Sequence, residues 1–391
     1  DSDDDDGELG TLASFHQRAG AYKNEFFREQ KRGAPTYEGG MPGDVDVAPS
    51  RVEETFWKLV EGELPGEKRA LDVTHNGVAC GDASAFPAAG DAATAGADEP
   101  EMDYGASPWA PARLAAQSGS LLSHLPAPDR AAAAPALLRC GMLFSCSGWM
   151  TAPCFLHSLC HHHAGAPRTW YALSAADAEA LQEHALRELP DAARSAREVA
   201  FRLPALLSPT SLCSSQLQVS RLVQYPGELV LVAPRAFHAT VCHGFTVTTT
   251  APFASAEWLP RGRAAAALHR ELRTPPPLCF EQAVVCATRG DESVRTAVAL
   301  QDELRLLVAA HTAQLKSLKE LGVAVRPLAD APPGAGMGEP PTATPRAPFA
   351  DAFFWIKPPG ESDGVSLSSA PRFDPECNKG ASWEGAPQAG D

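Results

Sequence analysis

Residues 141–171 read GMLFSCSGWMTAPCFLHSLCHHHAGAPRTWY. Two apolar runs within it, Gly141–Ser145 and Cys154–Cys160, and a third that extends just past its end, Thr169–Leu173, have strand length and are bounded by Gly, Pro and Ser. Two more runs of the same kind follow at Glu228–Val232 and Phe245–Thr250. One segment between them has helical spacing, from Ser174 to about Leu189, with Ser174 and Asp177 in capping-box positions. Many short strands around a single helix predict a mainly β barrel or jelly roll with helices, not a wound parallel sheet.

On the N-terminal side, Leu12, Phe15, Ala19, Tyr22 and Phe26 recur at helical spacing between Thr11 and Phe27. A second helix is predicted after Ser50, which is placed to cap it with Glu53 three residues on; Val52, Phe56, Leu59 and Val60 form its buried face. The opening DSDDDD is a block of like charge that reads as a solvated linker, and residues 82–103, rich in Ala, Gly and Asp, read as a loop insertion. Beyond Pro260 the pattern turns helical again. Val294, Ala297, Val298, Leu304, Leu307, Val308, His311, Leu315 and Leu318 trace one face closed by Gly322, with His311 expected as a packed core histidine. From about Arg326 the chain is rich in Pro, Gly and Ala and is expected to be mostly disordered; Phe349–Ile356 reads as a flexible tail with stray aromatics, the alternative being a short docking segment. The resulting division is an acidic linker (1–10), a helical part with the insertion (11–104), a barrel (105–263), a helical region (264–325) and a tail (326–391).

The 391 residues carry a formal net charge of −15 and are 44% hydrophobic. That balance suits a basic partner and argues against direct nucleic-acid binding, which needs clustered Lys and Arg. Ten cysteines occur without a CxxC pair, and no secretory signal, lipidation motif or long apolar span is present. Reduced thiols in a cytosolic or nuclear protein, with no membrane contact, are the expectation. The chain starts at Asp1 and not Met, so a fragment of a longer protein is also expected. GxSxG, Walker, GxGxxG and HExxH motifs are absent.

Four phrases in order resemble the JmjC core of the JARID-type histone lysine demethylases. VEETFWKLV at 52–60 resembles the helix before the JmjC barrel; GMLFS at 141–145 with Trp149 and GAPRTWY at 165–171 resembles its first signature. YPGELVLVAPRAFHA at 225–239 resembles the strand–turn–strand that delivers the last iron ligand, and PFASAEWLPRGR at 252–263 resembles the closing segment. The likeness runs from about residue 11 to 322. It implies a double-stranded β-helix, the cupin-like jelly-roll JmjC fold with flanking α-helical segments, that binds Fe(II) and 2-oxoglutarate and hydroxylates an N-methyl group. The family's metal sits on a His-x-Glu pair and a distant His, leaving positions open for 2-oxoglutarate and dioxygen.

Carried over by the resemblance, the first His position is Met150, the Glu position is Ala152, and the distant His is His238. Ala152 has no donor atom, and the Met150 thioether suits Cu(I) better than Fe(II). Tyr104, Ser158 and Arg168 fall where the family places a Tyr, a Ser and a Lys around 2-oxoglutarate. Two of the family's Asn positions hold Cys160 and Pro252, and ATVCHGF after His238 lacks its asparagines. His238 therefore reads as a leftover barrel histidine or as the one retained metal ligand, Arg168 as a salt-bridge partner or an anion ligand, and Tyr104 as packing. A separate possibility is an improvised zinc or copper site: strand alternation puts Ser158, Cys160 and His162 on one face, where His238 could join them.

The resemblance thus implies a nuclear, chromatin-associated relative of the demethylases that binds no cofactor tightly, acting as a scaffold or histone-tail binder. The alternatives are an active Fe(II)/2-oxoglutarate demethylase and a cupin-like binding module without chromatin ties. The zinc-binding cysteine cluster that follows the barrel in the JARID-type enzymes has no counterpart after Gly322, where only Cys377 occurs.

Overall fold

The computed structural model describes residues 11–29, 47–62, 79–80, 110–188, 200–203, 206–272, 274–290, 293–320, 355–356 and 365–366. The acidic opening, the 82–103 insertion, Tyr104 and Gly322 lie outside the described residues, as does the tail apart from two-residue strands at Trp355–Ile356 and Val365–Ser366. The chain packs as two units, one built from Asp1–Leu114, Pro135–Pro153 and His157–Pro252, the other from Ala115–Ala134, Cys154–Leu156 and Phe253–Asp391.

The first unit holds helices α1 (Leu12–Glu29), α2 (Pro49–Val60), α4 (Ala178–Glu188) and α5 (Pro209–Ser214). Its strands are β1 (Ala79–Cys80), β2 (Leu137–Gly141), β3 (Cys146–Met150), β4 (His157–Gly165), β5 (Arg168–Leu173), β6 (Ser220–Gln224), β7 (Leu229–Val232), β8 (Phe237–Cys242) and β9 (Thr246–Phe253). They form two antiparallel sheets, in the orders β1-β2-β9-β4-β7 and β3-β8-β5-β6. The two facing antiparallel sheets accord with the expected jelly roll; among the described residues no ladder joins them, so the barrel is not closed. β6 and β7 are consecutive but belong to different sheets, and the Gln224 side-chain amide on β6 donates to the carbonyls of Cys160 on β4 and of Glu228, both at 3.0 Å.

Period-two alternation decides what each face of the second sheet meets. Tyr171, Leu173, Phe237, Ala239 and Val241 face a core shared with Phe27, Val52 and Phe56 of α1 and α2. Their alternates, Arg168, Trp170, His238 and Thr240, face the other sheet. Cys160 and Val232 of that sheet, with Ala236 of the β7–β8 turn, gather around Trp170.

Helix α2 does not start as predicted. Pro49 occupies its first turn, the cap position is Ala48 without a side-chain bond, and Ser50 lies inside the helix. Glu53 turns inward instead, accepting from Tyr171 Oη at 2.8 Å and from Arg221 Nε at 2.8 Å, while Trp57 Nε1 donates to Tyr171 Oη at 2.9 Å. Strand limits shift too. Residues 142–145 form a turn, with Phe144 at φ 66°, so the Gly141–Ser145 run divides between β2 and the approach to β3. Cys154 and Phe155 adopt left-handed backbone, which delays β4 to His157 and draws the three histidines into it. The Ser174 hydroxyl donates to Asp177 Oδ2 at 2.8 Å and caps no helix; a short 3₁₀ turn precedes α4. α5 is a second interruption of the strands, capped by Ser208 Oγ, which accepts from Ser211 N at 3.2 Å.

The second unit contains α3 (Ala127–Ala133), α6 (Leu259–Leu272), α7 (Phe280–Thr288) and α8 (Val294–Glu320). Trp258 is wholly buried against Phe280 and donates to Cys154 O at 3.0 Å. The seam of α8 is rotated from the predicted stripe: Leu300, Glu303 and Leu307 are buried, whereas Val294, Val298 and Val308 are exposed. Glu303 in that seam is paired with Arg263 at 3.2 Å, so a polar position hid the buried face. His311 is half-buried, not a core residue.

Candidate functional site

Met150 and His238 are direct cross-strand partners on β3 and β8. The register advances three residues on β3, from Ser147 to Met150, against two on β8, from Thr240 to His238. That one-residue bulge puts Ser147, Met150, Thr240 and His238 on one face. Ala152 is buried just beyond the end of β3.

The His238 ring keeps one habit of a metal-binding imidazole. Its Nδ1 donates to Ala236 O at 3.3 Å, which leaves Nε2 with its lone pair. Its setting is nevertheless cationic. Burial lowers its pKa to about 4, the Ala236 carbonyl opposes this, and the Arg168 and Arg139 guanidiniums push it down further. Trp170 lies beside it with ring centroids 5.7 Å apart.

Arg168 enters the same cleft from β5. Its Nη2 donates to Thr240 Oγ1 at 2.7 Å, and Nη1 makes longer contacts to Thr248 Oγ1 at 3.4 Å and Cys160 Sγ at 3.5 Å. Its Cζ lies 4.9 Å from the centroid of the Trp170 ring. Thr240 also shares a hydrogen bond with Ser147, hydroxyl to hydroxyl at 3.0 Å. The salt bridge considered for Arg168 is not made among the described residues; it is held by hydroxyls, a thiol and an aromatic face. Ser158 is buried on the Cys160 face of β4, opposite Val232.

Cys160 and His162 are both fully buried on that face, but no group of three His, Cys, Asp or Glu side chains able to hold a metal occurs among the described residues. The improvised zinc or copper site is therefore not assembled. His162 instead bonds Ala164 O through Nε2 at 3.1 Å. His161 and His163 take the opposite face with ring centroids 4.2 Å apart, and His163 Nε2 lies 2.8 Å from Thr249 Oγ1.

Sequence reading missed Arg139 of β2, which is opposite Thr248 of β9 and therefore on the cleft side. The signal was present as a lone charge inside the apolar strand Leu137–Gly141. Strand parity would have assigned its face, had the strand been placed there and not at 141–145.

Two antiparallel sheets facing one another across a polar cleft are the build of the cupin-like jelly-roll class. Residues 137–253 match the model of the JmjC domain, hydroxylase, and the chain is a JmjC-domain protein similar to lysine-specific demethylases. It is 29% identical over 255 residues to Lysine-specific demethylase JMJ17 of Arabidopsis thaliana, covering 64% of this chain and 20% of that protein. It is 28% identical over 319 residues to Lysine-specific demethylase 5D of Homo sapiens, covering 80% and 19%. The Probable lysine-specific demethylase SE14 of Oryza sativa subsp. japonica is 31% identical over 284 residues, covering 71% and 18%. The chain thus spans about one fifth of the length of these relatives. Residues 331–391 also match the model of glycosyl hydrolases family 6; they lie outside the described residues apart from the two short strands, and no site residue is taken from that match.

The JmjC family depends on Fe(II) and 2-oxoglutarate. The residues present here do not fit the metal. Of the three ligand positions one is a thioether and one a methyl group, so the His238 imidazole alone is left to hold a divalent cation.

Proposed function

We propose that this chain is a JmjC-fold protein that has given up oxidative demethylation and serves as a scaffold or histone-tail binder in a nuclear chromatin complex, its sheets being a double-stranded β-helix. The observation that carries the reading is the Met150–His238 pair set in a cleft with Arg139 and Arg168 and no gathered ligand set among the described residues. A net charge of −15 supports a basic partner such as a histone tail. The test is an assay of the purified protein on methyl-lysine histone peptides with Fe(II), 2-oxoglutarate and ascorbate, beside a pull-down of unmodified and methylated tails. Peptide capture without demethylation is expected; turnover coupled to loss of the methyl group would end the proposal.

One observation favours a second reading, an active demethylase. His238 keeps its Nε2 lone pair available, and Ser158 and Arg168 both line the cleft. Under that reading His238→Ala abolishes turnover. A third, a binding module without chromatin ties, gains ground if no histone peptide or nuclear complex is captured.

A further inference from the structure

The two facing sheets end in four edge strands, and three of them carry a device against pairing with another chain. β1 is only two residues long. β3 is bulged between Ser147 and Met150, and its Trp149 carbonyl accepts from Leu203 N at 2.8 Å. β6 carries Arg221, whose guanidinium pairs with Glu53. β7 has none of these. It reads Leu-Val-Leu-Val from Leu229 to Val232, without charge or proline, and its register against β4 is regular from Ser158–Val232 to His161–Leu229.

The phase of that ladder settles which backbone groups of β7 are spare. Hydrogen-bonded and non-hydrogen-bonded pairs alternate along antiparallel strands. His162 N donates to Glu228 O at 3.1 Å, so Glu228, Val230 and Val232 turn their backbone groups toward β4. Leu229 and Leu231 turn theirs to the outer edge, where no strand of the described residues receives them. The side chains of the same two residues are 41% and 61% exposed, on the face away from Val232 and Trp170.

A copy of the same edge satisfies all of these groups at once. Rotated about a two-fold axis at Val230, β7 meets its copy antiparallel, with Leu229 opposite Leu231 and Leu231 opposite Leu229. In that register both outward-turned residues fall in hydrogen-bonded pairs, so two N–H···O=C bonds form at each end and two leucine–leucine pairs close on one face. A shift of one residue sets each outward-turned leucine against an inward-turned valine and loses the bonds. A basic peptide is matched less well. Within the edge segment it meets only the Glu228 carboxylate, which already accepts from Tyr225 N at 2.7 Å.

We propose that β7 pairs with β7 of a second copy of this chain, joining two five-stranded sheets into one of ten strands. So short an edge covers less than the roughly 1,200 Å² of a stable interface, which makes the dimer weak and dependent on concentration. The pairing is independent of whether the cleft holds a metal.

Sedimentation equilibrium of the full chain from about 1 to 300 µM is the experiment, and the average mass should climb from monomer toward dimer. Leu231→Lys should raise the dissociation constant at least about tenfold. Leu231→Pro, which removes only an outward-turned N–H, should do the same. Leu222→Lys, at a comparably exposed leucine of β6, should leave the dimer unchanged. In a Cys213→Ser background, mixed Leu229→Cys and Leu231→Cys chains should cross-link faster than either variant alone, because the register opposes the two positions. Thermal unfolding checks each variant, and Leu231→Thr, which should also weaken the dimer, replaces any that does not fold. A monomer at every concentration overturns the inference, and capture of a basic histone peptide by that monomer through Leu231 would assign the edge to a tail instead. A dimer untouched by the Leu231 variants, or weakened equally by Leu222→Lys, places the contact elsewhere. Equal cross-linking by the single variants overturns the register.

Discussion

Met150 faces His238 across β3 and β8 because a single bulge residue turns it to the cleft side of the sheet. The backbone that would present two ligands to one metal is thus in place, and what is missing is side-chain chemistry. Restoring it with Met150→His and Ala152→Glu together should give measurable Mn(II) binding by calorimetry, and the native chain is expected to give none. Adding Arg139→Gln should tighten that binding by removing a repulsive charge. Native binding as tight as that of the restored variant would mean that neither Met150 nor Ala152 ended metal binding.

Acid should destabilise the first unit earlier than surface carboxylates alone would. Burial is the largest cause that holds His162, His163 and His243 neutral, each with a pKa lowered to about 4. Around His243 the Lys23 and Arg221 charges act in the same direction, and Glu53 opposes them. Between the unfolded value of about 6.5 and the folded value of about 4, the unfolded chain binds protons that the folded chain does not. Stability is therefore full above that window and falls as pH drops through it, at up to about 1.4 kcal/mol per pH unit for each such histidine. Thermal unfolding at pH 7.5, 5.5 and 4.5 should show melting temperature falling at each step. A flat profile down to pH 4.5 would mean that these imidazoles are protonated in the fold.

Glu53 is the polar anchor of α2 on the second sheet. Burial pushes its carboxyl up, but the Arg221 guanidinium and the hydroxyls of Tyr171 and Thr169 outweigh that and hold its pKa below the usual range. Glu53→Ala leaves the Tyr171 hydroxyl and Arg221 without their acceptor and should cost about 2–4 kcal/mol in urea unfolding. Tyr171→Phe removes one donor from Glu53 and the acceptor of Trp57, for about 1–2 kcal/mol. Because these groups share one network, the double variant should cost less than the sum. Strict additivity would show that the network is not cooperative.

What the sequence disclosed and what it hid follow from the range of each effect. Thr169–Leu173 and Glu228–Val232 were legible because branched and aromatic residues at strand length, bounded by turn residues, are a local signal. β4 was displaced because left-handed backbone at Cys154 and Phe155, non-glycine residues, leaves no mark in composition. Ser50 and Ser174 had capping spacing, yet Pro49 took the first turn of α2 and the Ser174 hydroxyl went to Asp177. At the cleft, Arg168 and His238 were found through a motif. Their dependence on Arg139, Thr240 and Thr248 is a product of cross-sheet pairing, which no single stretch of sequence encodes.

Gly165 and Gly227 separate two demands that sequence cannot tell apart. Both have left-handed backbone, at φ 104° and 86°. At Gly165, the last residue of β4, a Cβ would stand 2.1 Å from Phe245 O, and Ala166 N donates to that same carbonyl at 2.6 Å. The carbonyl cannot withdraw without breaking the bond and shifting the start of β9. At Gly227, between β6 and β7, a Cβ meets nothing within 4 Å. Gly227→Ala should therefore cost only the left-handed backbone penalty, about 1 kcal/mol. Gly165→Ala adds a backbone collision and should cost about 3 kcal/mol or more, enough to lower the yield of folded protein. Urea unfolding of the two variants side by side measures the difference. Equal costs would mean that backbone conformation alone, and not the approach of Phe245, requires glycine in the GAPRTWY phrase.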